Sequence, residues 1–445
     1  MTNIRQYQTK NIPDFTIHKL GSSDVESPME EFSLSYVDDS ERIVYDPRLT
    51  SVKRYIDESQ DPPSMEVAGP RQKLYFNPSD VRAAIVTCGG LCPGLNDVIR
   101  AIYMELYYHY HVRDVLGIRY GYSGLVPRVG QPPMTLTPEL VTNIHRAGGT
   151  LLGSSRGPQD CAEIVDFIER SRINMLFVIG GDGTQRGALD IANEVERRNL
   201  KISVVGIPKT IDNDISFVEQ SFGFNTAVAK AKDVLSSAHE EARGAYRGVA
   251  VVKLMGRHSG FIAAMAAVAT GDANFVLVPE VPFDMEGDTG FLKALERRLE
   301  TRGHALVVVA EGAGQNLLVG GGSDKNFDAS GNVKLDDIGV YIKNCIVSKF
   351  SSGWHAATVK YIDPSYIIRS SPANAEDSIF CSRLGRNAVH AAMSGRTKMI
   401  VGIWNSTFTH VPMSAVISKR KQVDPTGQQW LAVLESTGQP AKMNV

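Results

Sequence analysis

Six short apolar runs constrain this chain more than any other feature: residues 83–87, 175–179, 202–207, 249–254, 275–278 and 305–310. Each is followed by turn residues and then, in most cases, by a segment of helical periodicity, as at 93–110, 184–197, 225–243 and 259–270. Runs that are apolar at nearly every position, without alternation, need cover on both faces. Strands of that kind alternating with helices specify a mostly parallel sheet sandwiched between helical layers. The expected class is therefore doubly wound α/β, in which ligands bind beyond the carboxyl ends of the strands.

A chain of 445 residues is too long for one ordinary core, and two or three domains or one large two-lobed unit are expected. The net charge of −2, with both signs interspersed, gives no broad basic face, so neither nucleic acid nor an anionic membrane is expected as a partner. The five cysteines are scattered, and no pair has CxxC spacing, which points to reduced thiols rather than a disulfide frame or zinc site. The N-terminal residues lack the apolar core of a signal peptide, and the small-apolar stretch 261–270 is too short to span a bilayer. A cytoplasmic protein is expected.

The chemistry concentrates in the segments after the strands. Gly180-Gly181-Asp182-Gly183-Thr184 joins a strand to a helix, where free N–H groups and the helix dipole suit phosphate and the carboxylate suits Mg²⁺. A ligand-free glycine turn is the plain alternative. Pro208-Lys209-Thr210-Ile211-Asp212-Asn213-Asp214 carries two carboxylates which, in an extended segment, point the same way. One of them can take the proton of an attacking hydroxyl, although most Asp-x-Asp strings are solvated turns. Lys253-Leu254-Met255-Gly256-Arg257-His258-Ser259-Gly260 puts an arginine fork at another strand-to-helix turn. Met255 there reads as packing and His258 as an exposed first-turn residue. Gly89-Gly90 precedes a further helix, and the loop 148–157 ends in Arg156-Gly157, a candidate for neutralising charge on a transferred phosphoryl group. Residues 360–369 add two basic side chains and two phenols that also suit ordinary surface, and the glycine-rich stretch 320–331 reads as a surface loop. Walker, protein-kinase and zinc-helix motifs are absent, and Gly312-x-Gly314 does not complete a dinucleotide fingerprint.

In this order GGLCPGLN, GYSGL, GGTLLGSSRG, GGDGTQRGA, PKTIDND, FGFNTA, KLMGRHSGFIA and VAEGAGQ resemble the 6-phosphofructokinase family, over about residues 82–405 and in its longer form. The resemblance implies two Rossmann-like lobes with mostly parallel sheets covered by helices and the active site in the cleft between them. It also implies transfer of the γ-phosphoryl of ATP to the 1-hydroxyl of fructose 6-phosphate, a glycolytic step, with Mg²⁺. It makes Asp212 the general base, assisted by Asp214, Thr210, Arg257 and Arg156, and puts Asp182 on the metal. Gly90, Arg156, Gly157, Gly181, Asp182, Gly183 and Thr184 then surround the nucleotide. Thr210, Ile211, Asp212, Met255, Gly256, Arg257, Glu311, Lys360, Tyr366, Ile367, Ile368 and Arg369 fall on the sugar phosphate.

Donor choice turns on two positions. Pyrophosphate-using members resemble GGDDS where this chain has GGDGT, and Gly183 leaves room for the α-phosphate of a nucleotide. Lys209 is the opposing signal, since pyrophosphate users carry lysine there and short ATP users glycine. Gly248, Lys360 and Tyr366 also depart from the short members at positions that grip the 6-phosphate. A homo-oligomer, dimer or tetramer, is implied. The expected division is an N-terminal extension over 1–80, a nucleotide lobe over 81–240, a sugar-phosphate lobe over 241–405 with possible crossings of the chain, and a C-terminal extension over 406–445. The rival readings are the pyrophosphate-dependent reaction, another GGDGT kinase, and a silent regulatory subunit.

Overall fold

The computed structural model describes residues 12–29, 36–318, 334–353 and 356–444; the glycine-rich stretch 320–331 lies outside them. The six expected strands form at Arg82–Thr87, Met175–Gly180, Ser203–Pro208, Gly248–Leu254, Phe275–Leu277 and His304–Ala310. Every residue of Met175–Gly180 and Ser203–Pro208 is buried, as unalternating apolar runs require when helices cover both faces.

Among the described residues the strands divide between two main sheets. The larger has nine strands, in the order Arg42–Val44, Ser64–Val67, Thr407–Pro412, Met399–Trp404, Ser203–Pro208, Met175–Gly180, Arg82–Thr87, Asp114–Ile118 and Met134–Thr135. Its five central strands, from Met399–Trp404 to Asp114–Ile118, are parallel, and the outer ones are antiparallel. The smaller sheet is wholly parallel, in the order Phe275–Leu277, His304–Ala310, Gly248–Leu254 and Thr358–Ile362. The α/β class with mostly parallel sheets is what the sequence pattern specifies.

The chain passes from the larger sheet to the smaller at Gly248–Leu254 and back to the larger at Met399–Trp404. The division at 405 and 406 therefore falls within a hairpin. Part of the region before residue 80 is also core: Ser64–Val67 pairs with Thr407–Pro412. A buried ionic cluster reinforces that junction. Glu66 receives Arg71 Nη2 at 3.2 Å, His410 Nδ1 at 3.0 Å and the guanidinium of Arg396. Asp39 takes a second bond from each arginine, at 2.8 and 2.6 Å. Glu66, Arg71 and Arg396 are buried, while Asp39 closes the cluster from the surface, its side chain 54% exposed; paired in this way the buried carboxylate tolerates burial that a lone one would not. No helix among the described residues is long and apolar enough to cross a membrane.

Candidate active site

The ends of the larger sheet's central strands open into a cleft of about 800 Å³ walled by loops of both lobes, a size suited to small-molecule ligands. One wall is the turn from Met175–Gly180 into the helix Asp182–Arg197, with Gly181 as its N-cap. A Cβ at Gly180 would lie 2.3 Å from the Thr184 side chain, so only glycine permits this approach. Gly183 differs: a Cβ there meets nothing within 4 Å, so the protein's own packing does not call for glycine. Tyr122 Oη fixes the turn by donating to Thr184 O at 2.7 Å. Gln185, fully buried, gives its amide to the carbonyls of Gly180 at 2.9 Å and Ile207 at 3.2 Å, tying the helix to two adjacent strand ends.

The opposite lip carries Gly89, at φ +86°, and Gly90, whose Cβ position lies 3.3 Å from Arg156 Nη2. Arg156 and Gly157 line the cleft with them. Lys209 is buried and spans the two lips, its Nζ donating to Gly90 O at 2.8 Å and its N to Gly180 O at 3.0 Å. Burial is the main cause holding its pKa below the usual lysine value.

Asp212 and Asp214 both line the cleft, but not by the alternation of an extended strand. The segment turns, with Asn213 left-handed at φ +55°. Asparagine tolerates this conformation, and here its Oδ1 accepts from Ser221 N at 3.0 Å and Lys421 Nζ at 3.1 Å. Thr210 organises the pair: its hydroxyl donates to Asp214 Oδ1 at 2.7 Å and accepts from Asp212 N at 3.2 Å. The Asp212 carboxylate is far less satisfied. Among the described residues its Oδ2 has only the Arg257 N–H at 3.5 Å, and its Oδ1 is buried without a hydrogen-bond partner. Burial first, then the neighbouring charges of Asp214 and Glu311, push its pKa up to about 7, against the pull of Arg369. A poorly solvated carboxylate with one free oxygen is a proton acceptor suited to neutral pH.

The second lobe supplies Arg257, Glu311 and Arg369 to the same cleft, with Ile211 of the first lobe facing them. Gly256 is at φ +131°, and its carbonyl accepts from Gly312 N at 3.0 Å, which locks the arginine turn to the strand end at Glu311. Arg369 lies 3.9 Å from Glu311 and donates to Met255 Sδ at 3.2 Å. Met255 is thus buried behind an arginine, and neither it nor Gly256 lines the cleft. Four expected sugar-phosphate residues also lie outside the lining. Lys360 pairs with Glu241, Tyr366 and Ile367 are 83% and 72% exposed, and Ile368 is fully buried. For Tyr366, Ile367 and Ile368 the cause is local: Ser365–Arg369 is one short helical turn, so its successive side chains point in different directions, whereas Lys360 lies on the strand Thr358–Ile362. His258, expected as exposed, is half-buried on the cleft wall, and burial with Arg420 and Arg257 lowers its pKa.

Arg420 also lines the cleft, and no motif announced it. Its Nη2 donates to Asp182 Oδ2 at 3.1 Å, while Arg186 stands 4.0 Å from Oδ1. A basic run such as Lys419-Arg420-Lys421 ordinarily reads as solvated surface. Among the described residues no group of three or more His, Cys, Asp or Glu is placed to hold a metal. One carboxylate, Asp182, on the rim of a glycine cradle nevertheless fits Mg²⁺, a hard cation that takes most of its oxygens from phosphates and water.

The phosphofructokinase family pattern matches residues 82–392. A Borreliella burgdorferi protein named ATP-dependent 6-phosphofructokinase is 50% identical, covering 98% of this chain and 99% of its own length. The protein of that name from Amycolatopsis methanolica is 47% identical, covering 98% and 96%. Among solved structures, the pyrophosphate-dependent phosphofructokinase of Marinobacter aquaeolei superposes with a TM-score of 0.66 at 20% identity, over 80% of this chain and 91% of its own. The phosphofructokinase of Pichia pastoris gives 0.62 at 21%, over 80% and 37%. These two likenesses speak to the fold, which is that of the phosphofructokinases, and together with the family pattern and the full-length relatives they carry one conclusion: the chain belongs to the phosphofructokinase family.

Proposed function

We propose that the chain is an ATP-dependent 6-phosphofructokinase, transferring the γ-phosphoryl of ATP to the 1-hydroxyl of fructose 6-phosphate in glycolysis. The observation that carries this reading is the under-solvated Asp212 carboxylate facing the glycine cradle of Gly181 to Thr184 across one cleft. A new P–O bond forms to the sugar oxygen as the bond to the bridging oxygen of ADP breaks, and the hydroxyl proton passes to Asp212. Arg156, Arg257, Lys209 and Arg369 stand where charge on the phosphoryl groups needs compensation. Asp182 would hold Mg²⁺, which supplies electrostatic neutralisation of the phosphates. Thr210 positions Asp212 and Asp214, and Glu311 and Arg369 form the sugar side.

The pyrophosphate-dependent reaction is the second reading, favoured by the buried, cleft-lining Lys209. The unfilled space at Gly183 favours the nucleotide, because an acidic side chain there would repel a phosphate. The exposed Tyr366 and Ile367 beside Arg369 suit a subunit interface in a homo-oligomer, and the five free cysteines suit the cytoplasm. On this reading residues 81–240 are the nucleotide lobe and 241–405 the sugar lobe, apart from Met399–Trp404, which belongs to the larger sheet. The test is the initial rate of fructose 1,6-bisphosphate formation with Mg²⁺, comparing ATP with pyrophosphate. Product with ATP alone is expected; product with pyrophosphate alone would reverse the donor, and none with either would sink the activity.

A further inference from the structure

The segment from Arg420 to Val423 is stitched to both walls of the cleft. Arg420 bridges antiparallel to Ile215, and Lys421 N donates to Asp214 O at 2.9 Å. Lys421 Nζ donates to Asn213 Oδ1 and to the carbonyls of Val218 and Glu219, at 3.1, 3.1 and 2.8 Å. On the other wall Gln422 Nε2 donates to His258 O at 3.1 Å. Val423 N donates to Glu280 Oε1 at 2.9 Å, and the same carboxylate accepts Gly260 N at 3.0 Å. The backbone at Arg420 is therefore fixed on both sides, and its guanidinium moves only by rotation about its own side-chain bonds.

That guanidinium reaches into the cleft and holds Asp182 Oδ2 at 3.1 Å while remaining 36% exposed. Asp182 is the carboxylate best placed for a divalent cation, and an arginine and a metal ion competing for it repel one another. An Arg420 released from Asp182 has its backbone pinned above the glycine cradle, so the anions within its reach are the phosphates of the incoming donor. A planar fork of donors suits a terminal phosphate, which has three equivalent oxygens, better than a bridging one.

We propose that Arg420 is a donor-binding residue, neutralising Asp182 before the nucleotide enters and passing to its terminal phosphate once Asp182 turns to the metal. The inference rests on the nucleotide-dependent reading above and assigns to the C-terminal segment a part in recognising the triphosphate. Arg420 neither accepts the proton nor is attacked; it selects the donor and screens its charge.

The experiment is equilibrium binding of ATP and of ADP, each with Mg²⁺ and without sugar phosphate, to the full-length chain and to Arg420→Ala and Arg420→Lys. A charged hydrogen bond to the terminal phosphate predicts ATP affinity at least ~10-fold weaker in Arg420→Ala, ADP within about twofold of wild type, and Arg420→Lys between the two. Unchanged ATP affinity would overturn the inference. So would equal weakening for ATP and ADP, the signature of a general structural role. If Arg420→Ala fails to fold by circular dichroism, Arg420→Gln, which keeps the side-chain length, takes its place under the same criteria. A wild-type chain that binds neither nucleotide would overturn the proposed donor itself, a result separate from any effect of the variants.

Discussion

Replacing Asp212 with asparagine should cost activity and gain stability at once, and the size of each effect follows from the carboxylate's surroundings. Asparagine keeps the shape and an oxygen for the Arg257 N–H but accepts no proton from the sugar. Loss of a general base lowers kcat by about 10²–10⁴-fold with little change in KM for the sugar. The stability gain comes from linkage. An unfolded aspartate titrates near ~3.9, whereas burial and the Asp214 and Glu311 charges push folded Asp212 up to about 7. Between those values the native chain keeps a proton that the unfolded chain has released, so the wild type loses stability as pH rises through the window. The loss is complete above the folded value. At about 1.4 kcal/mol per pH unit, and with solvent reaching the site through the open cleft, it amounts to on the order of 2 to 4 kcal/mol. Thermal unfolding at pH 8 should place Asp212→Asn above wild type, and the two should converge near pH 4. The free-enzyme kcat/KM of the wild type should fall on the acid side of about 7. An Asn variant that melts at or below wild type at pH 8, or one that keeps its kcat, would refute the account of this carboxylate.

Three further outcomes are expected. Gly183→Asp should leave the unfolding midpoint unchanged, because a Cβ there meets nothing within 4 Å, while lowering kcat/KM for ATP by at least ~100-fold through repulsion at the phosphates; unimpaired ATP kinetics would remove position 183 from donor choice. Gln185→Leu should destabilise the fold by about 1 to 3 kcal/mol in urea titrations, since the buried strand-end carbonyls of Gly180 and Ile207 lose the Gln185 amide bond. Glu66→Gln should cost about 3 to 5 kcal/mol by leaving Arg71 and Arg396 under-compensated. The folded pKa of Glu66 is lowered to about 2, with His410 and Arg396 acting against burial. Its contribution is therefore full above the unfolded value near ~4.3 and lost as pH falls toward 2. The melting difference between Glu66→Gln and wild type should accordingly shrink in acid.

The parts of the molecule legible in the sequence are those where one local pattern decides the outcome. An apolar run closed by glycine has few ways to fold, and the six runs became strands within a residue or two of the expected ends. The glycine cradle and the Asp212 turn were legible for the same reason, their residue types being matched to a strand end and a helix start. Asn213 limits even that success. The two carboxylates share the cleft, but through a left-handed turn rather than an extended segment, because the bonds that Asn213 accepts from Ser221 and Lys421 and donates to the Glu219 carbonyl hold a conformation that no periodicity encodes.

What stayed hidden depends on partners distant in sequence. Met399–Trp404 joins the larger sheet next to Ser203–Pro208, across a separation of about two hundred residues, a pairing that no local pattern of either strand encodes. The Ser64–Val67 strand is of the same kind: its four residues carry little pattern, and the charge of Glu66 within it reads as surface until Arg71, Arg396 and His410 converge on it. Arg420 follows from these pairings. The hairpin Met399–Trp404 and Thr407–Pro412 brings the chain back to the first lobe, and the bonds of residues 421–423 then fix its direction across the cleft. A side chain whose role is settled by three such steps cannot be recognised from its neighbours Lys419 and Lys421, which would make any arginine there look like ordinary surface.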